Sequence, residues 1–474
     1  MPVPNSRDSV NFEHGAKKRV GAQMPPIDPA VLLRFSAFVM GVLLKYLDPL
    51  RPSDVLSFED WLSQTDYNEN RKKELRSAFA KCIYGLWYIY YVVKSHLKVE
   101  RLDEFKFARI INSRCDVFKV YVAPVFHAIE EYLFHRSPLK RFFVKGLKPA
   151  ERSKRVYKNV YCDGCRYVAT DFSSFECGFT REVMNACEIA LYDFLTMYLP
   201  DPDWIVHVRE ALTGVNRCKS KLGSFKVEAT RMSGDMCTSL GNGFTNLMVS
   251  AFVMHESGIP FEELHGCFEG DDGVMAVPHG IVLHSEIYAQ LGFKIKLVEH
   301  DDLCAASFCG IVFDYQAQDN LVDPDEVIVK FGWSLSSLKW GGDDVLLGLL
   351  HAKALSLMYE FPACPIVTAL ARYGLRVSSG STPIWDKVDL RWSFVQSDRT
   401  FSAPKQVHFN SRLLMAKKWG VSVQRQLEIE AYLDGLNSRV PLPYWFVSSQ
   451  HYDWYLNYKD HTLVGSRLDC ERML

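Results

Sequence analysis

The sequence lacks a surplus of either charge: 55 Lys and Arg stand against 56 Asp and Glu, a formal net charge of −1 over 474 residues. A uniformly basic nucleic-acid-binding chain is excluded, so any such surface must be local. A long hydrophobic run is also missing. The strongest apolar stretch, Phe35 to Leu44, follows Arg34 and is closed by Lys45, short of the ~20 residues that span a bilayer. A buried helix is expected there, and no intrinsic transmembrane segment. The opening MPVPNSRDSVNFEHG has neither the short apolar core nor the small-residue cleavage site of a signal peptide. Gly 28 and Pro 21 are ordinary, which excludes collagen-like and low-complexity chains. The 13 cysteines are odd in number and scattered without framework spacing from Cys82 to Cys470, so reduced thiols are expected. Cys162 and Cys165 form a C-x-x-C with no second pair at finger spacing. A structural zinc needs four ligands, so two turn cysteines are the expectation.

What is present is ample apolar material, 48% hydrophobic and 13% aromatic, enough for a large core in a chain about three times the ~150-residue prior for one domain. Residues 1–30 read as a loose leader. Residues 30–97 read as mostly helical, with one short segment around Trp61 and another from Arg71 to Tyr91. The charge is uneven along the chain. From His135 to Asn159 nine basic residues (Arg136, Lys140, Arg141, Lys145, Lys148, Arg152, Lys154, Arg155, Lys158) face one acid, Glu151. A second basic stretch holds Arg217, Lys219, Lys221, Lys226 and Arg231. Such runs are usually solvated faces, but two of them flanking an acidic centre suggest phosphate and metal binding side by side.

The acidic centre is HGCFEGDDGVMAVP (265–278), in which apolar residues flank Gly270-Asp271-Asp272 on both sides. It reads as a β-hairpin with two carboxylates at its tip. Upstream, Tyr167 to Asp171 reads as a buried strand ending in a carboxylate, followed by a helix from about Arg181 to Leu199. Three acids on one sheet repel one another and lose hydration unless cations neutralise them. A pair of Mg²⁺ ions held by hard oxygens would do so, which points to two-metal phosphoryl transfer. Between these acids lies RMSGDMCTSLGN (231–242), where Ser233 and Gly234 open a loop and a long helix begins near Thr238. Thr238 and Asn242, four apart, share a helical face.

These residues in this order resemble the palm of the RNA-dependent RNA polymerases of positive-strand RNA viruses, most closely the tombusvirus-like (carmovirus-like) group. D-x-x-x-x-D appears as Asp171 to Glu176, S-G-x-x-x-T-x-x-x-N as Ser233, Gly234, Thr238 and Asn242, and G-D-D as Gly270, Asp271 and Asp272. Further out, Lys98-Val-Glu100 and Phe107-Ala-Arg109 are similar to the basic fingers motif, and Leu291 to Lys296 to the fourth palm motif. Phe308-Cys-Gly310 resembles the primer grip, and residues 351–365 the start of the thumb. The family usually has Asp where Glu176 stands.

The resemblance implies an α+β closed right hand with a ferredoxin-like palm, helical fingers and a helical thumb. It divides the chain into an N-terminal region and fingers (31–164), palm (165–183), fingers insertion (184–230), palm (231–333), and thumb with C-terminal region (334–474). It implies template-directed nucleotidyl transfer from NTP to an RNA 3′-hydroxyl, with two Mg²⁺ or Mn²⁺ ions held by Asp171 and Asp271 and Asp272 as a secondary ligand. Lys98 and Arg109 would hold the NTP phosphates. Glu176, Ser233, Thr238 and Asn242 would surround the ribose, and Lys296, in preference to Lys294, would protonate pyrophosphate. Lys145, Lys148, Arg152, Lys154, Arg155, Arg217 and Lys219 would bind template and nascent RNA. Five tryptophans (Trp385, Trp392, Trp419, Trp445, Trp454) are expected mostly in the thumb core. The expected setting is the host cytoplasm, at membrane-associated replication sites, with a membrane-anchoring viral protein as partner. The competing readings are a reverse transcriptase, which normally has an aromatic gate at position 176 and lacks the S-G…T…N set, and an inactive palm serving RNA binding or assembly.

Overall fold

Capping residues set where the N-terminal helices begin. In the computed structural model, which describes residues 5–82, 92–100, 107–335, 337–386, 405–440, 442, 443 and 446, the Asp8 carboxylate caps helix α1 (Ser9–Val20) through the Val10 N–H. Asp28 caps α2 (Pro29–Tyr46), where Pro29 occupies the first turn and loses no helical hydrogen bond. Residues 9–20 are therefore no loose leader. Phe12 is buried with Leu97, Ala108 and Ile110, and the Asn11 side chain accepts from the Ala108 N–H. The segment has few apolar residues, so its order comes from long-range contacts rather than from its own pattern.

Helix α2 is longer than the apolar stretch suggested. Among the described residues it is the one helix long and apolar enough, by length and composition, to cross a membrane. Here its face of Val31, Phe35, Val39, Val42 and Leu43 is buried in the main core, at the 3–4 spacing of an amphipathic helix. Two ion pairs, Arg34–Glu256 and Lys45–Glu262, flank it. The short α3 (Phe58–Ser63) and α4 (Glu69–Cys82) come next, as expected, while residues 83–91 lie outside the described ones.

Two four-stranded sheets organise the middle of the chain. The first is built from β1 (Val92–Leu97), β2 (Ile110–Arg114), β4 (Val215–Ser220) and β5 (Gly223–Glu228), in the order β2-β1-β4-β5. Helices α5 (Asp116–Glu131) and α6 (Pro149–Val160) lie between β2 and β3 (Cys165–Phe172). The second sheet joins β3 to β6 (Gly266–Glu269), β7 (Asp272–Pro278) and β8 (Ile295–His300). Its order is β6-β7-β3-β8, all antiparallel.

The helix expected over 181–199 is two, α7 (Arg181–Ala186) and α8 (Glu188–Thr196), broken where Cys187 leaves helical geometry. With α9 (Asp203–Thr213) they pack Leu191, Tyr192, Leu195, Trp204 and Val208 into the main core. Within the expected fingers insertion (184–230), the segment before β4 thus packs its apolar residues into the main core. Helix α10 (Thr238–Glu256) runs through that core, with every residue from Gly243 to Met254 buried. Helix α11 (Glu286–Gln290) precedes β8.

The C-terminal part has its own apolar cluster. It joins the hairpin β9 (Val312–Asp314) and β10 (Asp319–Leu321) to α12 (Pro324–Lys330), α13 (Asp343–Glu360), α14 (Val367–Val377), α15 (Phe409–Trp419) and α16 (Val423–Gly435). Trp419 packs partly buried against this cluster. Trp392, Trp445 and Trp454 lie outside the described residues. The described residues thus mix helices with sheet that is antiparallel except where β1 pairs parallel with β4.

Candidate active site

The second sheet brings the predicted acids to one end. On β3, Thr170 lies opposite Gly273 of β7, so the next residues outward are Asp171 and Asp272. The Thr170 hydroxyl donates to the Gly273 carbonyl. A Cβ on Gly273 would come within 2.7 Å of that hydroxyl oxygen and 3.0 Å of the Phe268 ring, so glycine permits this close approach. Gly270, at φ +60, makes the turn that carries Asp271. Asp171, Asp271 and Asp272 are all exposed. On the other side of β3, Lys296 of β8 lies directly opposite Asp171, whereas the carbonyl of Lys294 is engaged by the Ser173 N–H.

The hairpin is braced from behind by a residue the sequence did not single out. Asn246 of α10 is fully buried, and its amide donates to the carbonyls of Gly270 (3.2 Å) and Asp272 (3.0 Å). Its oxygen accepts from Ser250, whose hydroxyl in turn accepts from Tyr288 of α11. An asparagine one turn beyond Asn242 was the available signal. Glu269, paired with Asp272 across the hairpin, is pushed up to about 6 by burial, against the pull of Lys145 and Arg152.

The remaining predicted residues divide. Arg109 and Lys98 are brought together, both on Glu100: the guanidinium grips that carboxylate by a fork, and Lys98 Nζ lies 3.2 Å away. Glu100 raises the Arg109 pKa by hydrogen bonding and charge, with Glu176 and Asp271 adding smaller fields. Ser233 and Thr238 spend their hydroxyls on backbone. Ser233 Oγ donates to the Ile110 carbonyl and accepts from the Asn112 N–H, while Thr238 Oγ donates to the Met232 and Asp235 carbonyls. Asn242 accepts from Arg231 Nε at 3.0 Å.

Arg231 is the centre of that arrangement. It is fully buried, 2.5 Å from Glu188, and stacks over Phe179. Its N–H donates to the Glu176 carbonyl. Expected within a basic surface, it is instead a core residue joining Glu176, Asn242 and α8. A second buried pair, Arg114–Asp235 at 2.9 Å, ties β2 to the same loop, and Asn216 of β4 accepts from Arg114.

The first basic stretch departs from expectation for the same reason. Arg152 is buried, with Nε on the Leu147 carbonyl. Lys145 is ion-paired to Glu130 and sits over the Phe134 ring, and Arg155 donates to the carbonyls of Lys140 and Phe143. Lys148 and Lys154 are exposed. The second stretch keeps its charge outward. Arg217 lies opposite Lys226 on β4–β5 and Lys219 beside Lys94 of β1, all four exposed. Like charges facing each other on a sheet are unfavourable without an anionic partner.

Cys162 and Cys165 are free, and burial pushes the Cys165 thiol up to about 12. Among the described residues no group of three or more His, Cys, Asp or Glu side chains is gathered closely enough to hold a metal ion by itself.

A family model described as viral RNA-dependent RNA polymerase matches residues 194–440, just over half of the chain and including the 231–242 loop, the Gly270–Asp272 hairpin and β8. The chain belongs to that family. It is an RNA-directed RNA polymerase, a nucleotidyltransferase that copies a viral RNA template from NTPs. No curated protein matches the chain.

Proposed function

We propose that Asp171 and Asp271 hold two divalent cations, Mg²⁺ or Mn²⁺, with Asp272 as a secondary ligand, at the end of the β3–β7 pair. The single observation that carries this reading is the register of that pair, which sets exposed carboxylates side by side at a braced turn. Among the described residues neither the Asp171 nor the Asp271 carboxylate makes a hydrogen bond or ion pair. The donor set fits: Mg²⁺ takes only one or two carboxylates and completes its shell with water and substrate phosphates, so no complete protein cage is needed. When bound, the ions would activate the RNA 3′-hydroxyl and neutralise the triphosphate. Asp171→Ala and Asp271→Ala should each abolish nucleotide incorporation while leaving RNA affinity largely intact, because phosphate contacts lie elsewhere.

The chain's own groups supply the rest. Arg109, as a fork, and Lys98, as a point charge, exchange Glu100 for the triphosphate. Lys296, opposite Asp171, gives a proton to the leaving pyrophosphate. Glu176 and Asn242 read the ribose, with Ser233 and Thr238 holding the loop that carries them. Arg217 and Lys219, together with Lys94 and Lys226, bind template RNA, and Lys148 and Lys154 add exposed charge. The order strand–helix–hairpin–helix–strand of β3, α10, β6–β7, α11 and β8 supports reading the second sheet as a ferredoxin-like palm, with the first sheet in the fingers and the C-terminal helices as the thumb of a closed right hand. By family analogy the enzyme works in the host cytoplasm at membrane-associated sites, with another viral protein as anchor.

A further inference from the structure

We propose that Arg19 of helix α1 is a positioning residue that sets Glu176 for the sugar of the incoming nucleotide, an inference that rests on the ribose reading of Glu176. The end of α1 grips the turn after Asp171 at three points. Ser174 Oγ donates to the Lys18 carbonyl at 3.0 Å, Cys177 Sγ donates to the Arg19 carbonyl at 2.9 Å, and Arg19 Nη1 donates to Glu176 Oε1 at 2.7 Å. The gripped turn is strained. Ser174 sits at φ 53, in the left-handed region where a side chain other than glycine is disfavoured, so contacts from outside must hold it.

The two oxygens of Glu176 differ. Oε1 is taken by the guanidinium, whereas Oε2 is buried with no hydrogen-bond donor. A buried acceptor without a donor is costly, and a sugar hydroxyl is a donor of the kind it lacks. The charge balance gives Arg19 a specific task. Glu176 also lies within the field of Arg109, which stands just before β2. With Arg19 removed, Oε1 loses the donor that fixes it, and the pull of Arg109 on the carboxylate is no longer opposed by that hydrogen bond.

The experiment measures the ratio of incorporation efficiencies for ATP and dATP on one RNA template, for the full chain and for Arg19→Gln, Arg19→Lys, Glu176→Ala and the Arg19→Gln/Glu176→Ala double variant. Arg19→Gln should lower the ratio roughly tenfold, the scale of one charge-assisted hydrogen bond, chiefly through poorer use of ATP. Arg19→Lys should retain most of it, and Arg19→Gln should add nothing once Glu176 is alanine. A strap with only a structural role would slow ATP and dATP alike. An unchanged ratio in Arg19→Gln, with a lowered ratio in Glu176→Ala, overturns the positioning role and leaves the ribose reading standing. An unchanged ratio in Glu176→Ala removes the ribose reading and this inference with it. Should Arg19→Gln fail to fold, Arg19→Met, which keeps the aliphatic stem, is read in the same way.

Discussion

The two sheets of this polymerase are held by different forces and present opposite charge. The β6-β7-β3-β8 sheet lies between apolar layers, with Val168, Phe268, Met275 and Val277 in one core and Tyr167, Cys267 and Val274 in the other. Its polar groups gather at one end, where Asp171, Asp271 and Asp272 stay exposed. The β2-β1-β4-β5 sheet has only small apolar clusters and is fastened by polar contacts instead: Arg114 to Asp235 and Asn216, and Ser233 to Ile110 and Asn112. Its outer face carries Lys94, Arg217, Lys219 and Lys226. A chain with a net charge of −1 thus separates an acidic end from a basic face. The 231–242 segment carries one buried ion pair to β2 (Asp235–Arg114) and one to α8 (Arg231–Glu188). Chemistry needing cations and binding needing anions can then sit close together without cancelling.

Unbracing the acidic end should give the largest effect short of deleting an acid. Asn246→Ala leaves the Gly270 and Asp272 carbonyls without their donor, and a misplacement of about 1 Å at a reacting centre can cost ~10²-fold in rate. Single-nucleotide incorporation should fall on that scale while RNA affinity stays unchanged; unaltered incorporation would mean the hairpin holds itself.

The fastening of the basic sheet should show in stability. Arg114→Ala strands Asp235 as a buried, uncompensated charge, a loss of about 3–5 kcal/mol. The denaturation midpoint should drop far more than for Arg217→Ala on the exposed face of the same sheet. Equal drops would mean that the buried pair does not fasten it.

A smaller effect separates the two basic stretches. Reversing Arg217, Lys219 and Lys226 to Glu should weaken RNA binding and flatten its dependence on salt, since each phosphate contact contributes about one unit to the log–log slope. Reversing Lys148 and Lys154 should change the slope less. If the first stretch dominates, the template runs along α6 instead. The smallest effect is that of Asp272→Ala, which on the proposed secondary role should retain part of the activity with Mn²⁺; incorporation as low as in Asp271→Ala would contradict that role.

Much of the acidic end was legible in the sequence, and the rest was hidden for physical reasons. A plain turn also carries Asp beside Gly, so the acids could be found only through their order with the Ser233–Asn242 set between them, which fixed the match with the viral polymerases. Asn246 was hidden because one amide in an apolar helix looks like core. Arg152 and Arg231 stood in basic runs, yet they are buried by a capped helix and by Glu188, partners that sequence distance does not announce. Helix α1 was missed because only Phe12 and its neighbours bury apolar surface, and its hold on Ser174, Glu176 and Cys177 spans more than 150 residues of chain. The break at Cys187 interrupts an apolar pattern that runs straight through it.

The proposed division places chemistry at the carboxylates of the second sheet and template binding on the first. It can be tested by measuring, on the same preparations, RNA affinity and the single-nucleotide incorporation rate at increasing Mg²⁺. The proteins compared are the unaltered enzyme, Asp271→Ala and the Arg217/Lys219/Lys226→Glu variant. Asp271→Ala should bind RNA as the unaltered enzyme does but incorporate nothing at any Mg²⁺ concentration. The triple variant should bind poorly yet incorporate at a near-normal rate once saturated with RNA. Incorporation by Asp271→Ala within about tenfold of the unaltered rate, a barrier change of only ~1.4 kcal/mol, would contradict the division.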